Sequence, residues 1–281
     1  MRLWNWILKG LFLLALCGVV FGGAGWFGYQ LLVKPNQLPP EELAGGKPAL
    51  PPDPSLPDFE KAMKIKAARQ PVEARDALER FLETYPFSTK LAEARKALGE
   101  VNTDIFLSAI PAPNKIRYEI RSGDNLDRIK KKLKTTDELI MRCNNLDDPR
   151  RLRIGQVLWV SQPEFSVLID RKAHTVLLLD KGKFFKEYTA ASWNVPAPKR
   201  GAGNAPLDAK VSKKMAWANG SPVAFGSKEY AGSARWVELS ARGYTLYTEG
   251  GQKPGGGIGM QPEDMEELST LLSKGTPVTI R

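Results

Sequence analysis

The sequence predicts a multidomain α+β chain: an N-terminal transmembrane helix, a small helical unit, a βααβ module and a mainly-β C-terminal domain. Three observations predict it. Between Lys9 and Lys34 lie 24 consecutive residues without a charge. Apolar residues recur at helical spacing between Phe59 and Leu107. From Phe165 onward, short alternating runs are divided by turn residues, as strands are. At 281 residues the chain has room for one large domain or two to three small ones.

As a helix rising ~1.5 Å per residue, the uncharged run reaches ~36 Å, enough for a ~30 Å hydrocarbon core with some tilt. Trp4, Trp6, Trp26 and Tyr29 suit the two membrane interfaces. Arg2 and Lys9 precede the run, so the positive-inside rule puts the amino terminus in the cytoplasm and the bulk of the chain in the periplasm or cell envelope. Residues 1–34 are therefore read as an uncleaved anchor in the cytoplasmic membrane. Two other readings stay open. One is a signal peptide cut within the glycine-rich half, Gly18 to Gly28. The other is a lipoprotein using Leu14-Ala15-Leu16-Cys17, although the bulky Leu16 stands where a small residue is expected.

Residues 35–58 carry eight prolines, which predicts an extended linker that packs no core. Pro71 then suits the first turn of a helix with Val72, Ala74, Ala77, Leu78, Phe81 and Leu82 on one side. Tyr85-Pro86 ends it, and Ser88 can cap a second helix striped by Leu91, Ala94, Leu98, Val101 and Ile105. The phrase from Ala77 to Pro86, followed by Glu93-Ala94-Arg95, resembles one tetratricopeptide-type helix pair. A solenoid needs about three such units. Residues 59–110 are accordingly read as a small helical unit, with partner binding as the lesser reading.

The formal net charge of +10 is spread along the chain. No basic block with interleaved aromatics occurs, so nucleic acid is not an expected partner. Spread basicity serves solubility, and it also suits an anionic polymer. The chain has one histidine, His174, and two cysteines, Cys17 and Cys143, in different segments. No disulfide, metal site or cofactor is expected from that set.

Residues 116–162 form the next module. Tyr118-Glu-Ile-Arg-Ser-Gly-Asp-Asn-Leu126 alternates like a strand and turns at Ser122-Gly123-Asp124. Ile129 to Leu133 and Asp137 to Arg142 read as helices, the second capped by Thr135-Thr136 and ended by Asn144-Asn145-Leu146. Leu152-Arg-Ile-Gly-Gln-Val-Leu-Trp-Val160 returns as a strand. This βααβ order, with these motifs at these spacings, resembles a LysM domain. The resemblance implies binding of N-acetylglucosamine-containing glycans, chiefly peptidoglycan. It maps the groove onto Gly123, Asp124, Asn125 and Leu126, facing Asn144, Leu146 and Ile154. In that reading amide and backbone groups bond the N-acetyl while leucine and isoleucine cover its methyl. For Leu126 and Ile154 an ordinary core role is an equal alternative, and Asp124 also reads as a turn residue.

In residues 164–281, strands are predicted at Ser166–Asp170, Thr175–Asp180, Phe184–Ala190, Ala234–Leu239 and Tyr244–Tyr247. A helix from Pro262 to Ser273 and a strand from Thr276 to Ile280 follow. The hairpin Asp180-Lys-Gly-Lys183, Arg235-Trp236, Ile258-x-Met260 and Gly275-Thr-Pro-Val-Thr-Ile280 together resemble the L,D-transpeptidase (YkuD-type) family. The family's signature, Ser-x-Gly-Cys-x-Arg, aligns onto Pro254-Gly255-Gly256-Gly257-Ile258-Gly259. Its nucleophile falls on Gly257 and its arginine on Gly259, and its histidine falls near Tyr247. Gly255 to Gly257 also reads as a flexible loop with no binding role. Cysteine acyl transfer needs a thiolate and a base beside it. Neither stands here, and no base is evident for a serine either. His174 reads as a solvated turn residue. No catalytic residue is assigned.

The combined reading is a membrane-anchored, peptidoglycan-binding envelope protein with a degenerate, inactive transpeptidase-like domain. Two alternatives differ in class. One is a noncanonical transpeptidase or carboxypeptidase, and the other is a scaffold that positions an active cell-wall enzyme.

Overall fold

The computed structural model describes residues 53–112, 115–195, 205–252 and 254–281. The expected membrane anchor, residues 1–34, and most of the proline-rich segment lie outside them. Among the described residues no helix is long and apolar enough to cross a membrane.

Three helices open the fold: α1 (Leu56–Ala67), α2 (Pro71–Thr84) and α3 (Leu91–Phe106). Helix α1 begins inside the segment expected to be linker. Pro57 stands in its first turn, where a missing N–H costs nothing, and Asp58 complements the helix dipole there. The three bury one shared stripe of Phe59, Ala62, Ala74, Leu78, Phe81, Ala94, Leu98 and Val101.

Strand β1 (Lys115–Glu119) pairs antiparallel with β2 (Val157–Ser161), and between them run α4 (Leu126–Leu133) and α5 (Asp137–Cys143). Local capping explains both helix starts. Asn125 accepts a hydrogen bond from the Arg128 amide at 2.9 Å, and Thr136 accepts one from the Leu139 amide at 3.2 Å. Tyr118, Ile120, Leu126, Ile129, Leu133, Ile140, Leu158 and Val160 close the small core beneath them.

The remaining chain builds one ten-stranded sheet. Its strands are β3 (Phe165–Asp170), β4 (Thr175–Asp180), β5 (Lys183–Thr189), β6 (Ser192–Asn194), β7 (Leu207–Ala218), β8 (Ser221–Pro222), β9 (Ala234–Leu239), β10 (Thr245–Thr248), β11 (Gly257–Met260) and β12 (Pro277–Ile280). The order across the sheet is β5-β4-β3-β12-β7-β9-β10-β11-β6, with β8 paired to β7. One helix, α6 (Pro262–Leu271), lays Met265, Leu268 and Leu271 on the face carrying Val237, Leu239, Leu246, Ile258 and Met260.

The three segments pack as one compact unit from Pro54 to Arg281. Helix α3 is docked on the sheet domain. Phe106 meets Phe165 at 5.2 Å and Phe185 at 5.7 Å between ring centroids, and Asn102 donates its amide to the Phe185 carbonyl at 2.9 Å. The Phe106 carbonyl accepts from the Cys143 thiol at 3.0 Å and the Ser161 hydroxyl at 3.1 Å, tying the βααβ module to the same point. Burial pushes the Cys143 thiol pKa up, which makes it an inert core residue.

Candidate functional site

Two places carry the chemistry expected from the sequence, and the first is the βααβ module. The turn Ser122-Gly123-Asp124 needs a left-handed residue, and Gly123 supplies it at φ +83°. Asp124 accepts from the Tyr118 hydroxyl and the Arg121 amide, both at 2.8 Å. These two bonds, the backbone one foremost, hold its carboxyl below the usual carboxylate range. The Ile120 amide donates to the Gln156 carbonyl at 2.9 Å, and the Gly155 amide to the Ile120 carbonyl at 2.8 Å. These bonds lay the Ile154-Gly155 turn beside the Gly123 turn. Ile154 is 74% exposed there, a branched apolar side chain with no core to fill.

The expected glycan set therefore divides. Gly123 and Ile154 stand at the surface, and Leu146 is half-buried against the module's core. Leu126 is a core residue, 5% exposed. Asn125 spends its side-chain oxygen on the α4 cap. Asn144 is engaged within the module's own scaffold. Its amide nitrogen donates to the Ile140 and Trp159 carbonyls at 2.8 and 2.9 Å, and its oxygen accepts from the Trp159 amide at 2.7 Å. No donor is left on it for a sugar.

The second place is the glycine run. Gly255 and Gly256 lie in a bend, while Gly257 begins a buried strand that runs to Met260, parallel to β10 and antiparallel to β6. Gly257 runs at φ +142°, and a Cβ built there overlaps the Thr245 carbonyl oxygen and comes within 3.0 Å of the carbonyl carbon. No side chain fits without moving β10, so a thiolate is sterically excluded as well as absent. Gly259 leaves room for a polar group that the sequence did not disclose. Ser192 donates to the Glu249 carboxylate and lies 2.9 Å from the Tyr247 hydroxyl, and a Cβ on Gly259 would overlap both Ser192 Oγ and the Glu249 carboxylate. Ser192 and Tyr247 meet because β6 and β10 both register on Gly259. That pairing across a glycine strand is legible only once the sheet order is known. Ser192 thus has a carboxylate beside it, contrary to the expectation that a serine in this domain lacks a base. His174 is an exposed turn residue at φ 54°, and its ring stacks on Trp193 at 4.6 Å.

With this geometry in hand, residues 118–161 match the family model of the LysM domain. This segment is a LysM domain. The sheet domain that follows is similar to solved L,D-transpeptidases. A cysteine-to-serine variant of the Enterococcus faecium L,D-transpeptidase aligns at 18% identity and TM-score 0.29, over 43% of this chain and 50% of that one. An L,D-transpeptidase from Mycobacterium smegmatis aligns at 13% and 0.29, over 46% and 64%. One from Stackebrandtia nassauensis aligns at 20% and 0.29, over 43% and 56%. The chain thus spans about half to two thirds of the structures it resembles, and the resemblance assigns no activity. No curated protein sequence matches the chain. Among the described residues no group of three or more histidine, cysteine, aspartate or glutamate side chains could hold a metal.

Proposed function

We propose that this protein is a peptidoglycan-binding component of the cell envelope, held in the membrane by residues 1–34, whose C-terminal domain performs no cysteine-based transpeptidation. The LysM domain at residues 118–161 carries the glycan half of the reading. Its free surface is the Gly123 turn with Ile154 beside it, an apolar residue able to cover an N-acetyl methyl while turn amides bond the carbonyl. The catalytic half rests on Gly257, where the backbone and Thr245 leave no room for a nucleophile.

Co-sedimentation of the full chain with purified insoluble peptidoglycan tests it. The wild type should pellet with the polymer, and Ile154→Asp should reduce the bound fraction several-fold. Because Ile154 is 74% exposed, its thermal midpoint should stay within about 2 °C of the wild type. Unreduced pelleting after deletion of residues 118–161 would defeat the glycan assignment.

One observation favours a second reading, a noncanonical hydrolase or transpeptidase. Ser192 donates to the Glu249 carboxylate, the pairing a serine nucleophile and its base require. The two readings part on a single measurement. The binding reading expects no muropeptide product and no β-lactam adduct by intact mass. The enzyme reading expects either, abolished by Ser192→Ala.

A further inference from the structure

The outer face of the sheet, turned away from α6, carries an aromatic patch that neither reading uses. Pairing registers Met215 of β7 on Trp236 of β9, Trp236 on Tyr247 of β10, Tyr247 on Gly259 of β11, and Gly259 on Ser192 of β6. Residues opposite one another share a face, as do residues two apart on a strand. Trp217 and Lys213 therefore stand on this face with Met215, and Glu238 stands there with Trp236. Val237, Leu246 and Ile258, which alternate with the row, are buried on the other face beneath α6. A sheet with one face on the core is expected to turn polar residues outward. Two tryptophans and a methionine break that rule here.

Met215, Trp217 and Trp236 are each half-buried. The two indoles lie 5.2 Å apart between ring centroids and are tilted by 43°. The Trp236 ring N–H donates to the Gln252 carbonyl at 2.9 Å, which fixes that ring in place. The Trp217 ring N–H has no partner among the described residues, so packing alone holds the second ring. Lys213 and Glu238 are exposed at the edge of the patch and oppose one another in the pairing, so their charges cancel. The face thus offers a narrow π surface with polar, mutually neutral edges.

We propose that Met215, Trp217 and Trp236 form a stacking platform for an uncharged β-1,4-linked hexopyranose glycan, separate from the LysM groove. A pyranose with equatorial substituents presents its axial C–H groups as an apolar face, and their positive hydrogens suit the negative face of an indole. Its hydroxyls lie at the rim, where Lys213 can donate and Glu238 can accept. The neutral edge matches an uncharged ligand rather than an ionic one. Size excludes a protein partner, because three half-buried side chains fall far short of the ~800 Å² that each side of a stable interface buries. The platform is three strand spacings, about 14 Å, from the position of Ser192, so it is distinct from the Ser192–Glu249 pair. It needs no N-acetyl group and stands whether or not the LysM groove takes glycan.

Titration of the full chain with cellotetraose, a β-1,4-glucose tetramer without N-acetyl groups, tests the platform, with binding followed by saturation-transfer NMR. The wild type should bind it, and Ile154→Asp in the LysM domain should leave that binding unchanged. Trp217→Ala should weaken it about tenfold, the loss of one stacked ring, and strands no hydrogen-bond partner. Trp217→Phe restores a ring and should recover most of the affinity. Met215→Asp sets a charge on the same face and should also weaken binding about tenfold. It keeps the test decisive should Trp217→Ala fail to fold. Absence of binding by the wild type, full binding by either folded variant, or loss of binding in Ile154→Asp would each overturn the platform. So would self-association in sedimentation velocity that Trp217→Ala or Met215→Asp abolishes, since the face would then belong to a second copy of the chain.

Discussion

At Gly257 the backbone adopts φ +142°, and the space a Cβ needs is filled by the Thr245 carbonyl of the neighbouring strand. The sequence resemblance aligned a family nucleophile onto Gly257, where no reactive group stands. It did not disclose that the position has no room for a side chain, because that depends on how closely β11 approaches β10. Gly257→Cys is therefore expected to fail for two reasons. It should destabilise the fold by about 3 kcal/mol or more, since overpacking and a strained backbone act together. The fraction that folds should still form no β-lactam adduct, because Tyr247 stands where the resemblance expects the activating histidine. Thermal unfolding and intact mass on one sample check both. Tyr230 makes a second prediction at this scale. Burial and the nearby Glu138 carboxylate push its phenol up to about 12. The folded protein holds that proton more tightly than the unfolded chain, so the contribution is complete below pH ~10 and is lost as pH rises from there through about 12. Tyr230→Phe should flatten that alkaline loss in a series of unfolding measurements.

At the scale of elements, the LysM module and the hairpins were legible because each is built from local signals: a cap at Thr136, and turns at Gly123 and Gly182. The cap at Asn125, which starts α4 three residues earlier than expected, was not read. Strand β7 was not legible either. Its twelve residues, Leu207 to Ala218, carry an irregular pairing with β9 between Val211 and Lys213, which breaks the two-residue alternation a strand is recognised by. Strand β11 was missed because it is glycine-rich, and only burial on both sides makes such a segment a strand. Asn144 shows what the site's sequence leaves unsaid. Its amide fastens the end of α5 to β2 through two hydrogen bonds to Trp159 and makes a third back to Ile140 of α5. Asn144→Ala should leave the Trp159 amide and two carbonyls short of partners. We expect a loss of about 1–3 kcal/mol in urea unfolding, with glycan binding falling only as far as the folded fraction does.

For the whole molecule, the sequence suggested modules in series, and the structure joins them at Phe106. That ring is 1% exposed, contacts Phe165 and Phe185, and its carbonyl takes hydrogen bonds from Cys143 and Ser161. The junction draws on three sequence segments, so no local pattern could reveal it. The Arg142–Glu266 ion pair and the Thr270–Glu138 bond extend the contact between the LysM domain and α6. A LysM core this small gains stability from a shared boundary, because burial per residue rises with size. Phe106→Ala should accordingly cost about 3–5 kcal/mol, and the cost should be felt beyond the helical segment. Trp159 reports on the LysM domain and Trp236 on the sheet. In variants keeping only one of these two among the described tryptophans, both signals should unfold at one denaturant midpoint, and Phe106→Ala should lower both together. A Trp159 transition that stays in place while the Trp236 transition moves would show modules that merely touch. On the proposed glycan-binding function the coupling matters, since a LysM domain fixed to the sheet would present a bound glycan to the sheet domain in one orientation.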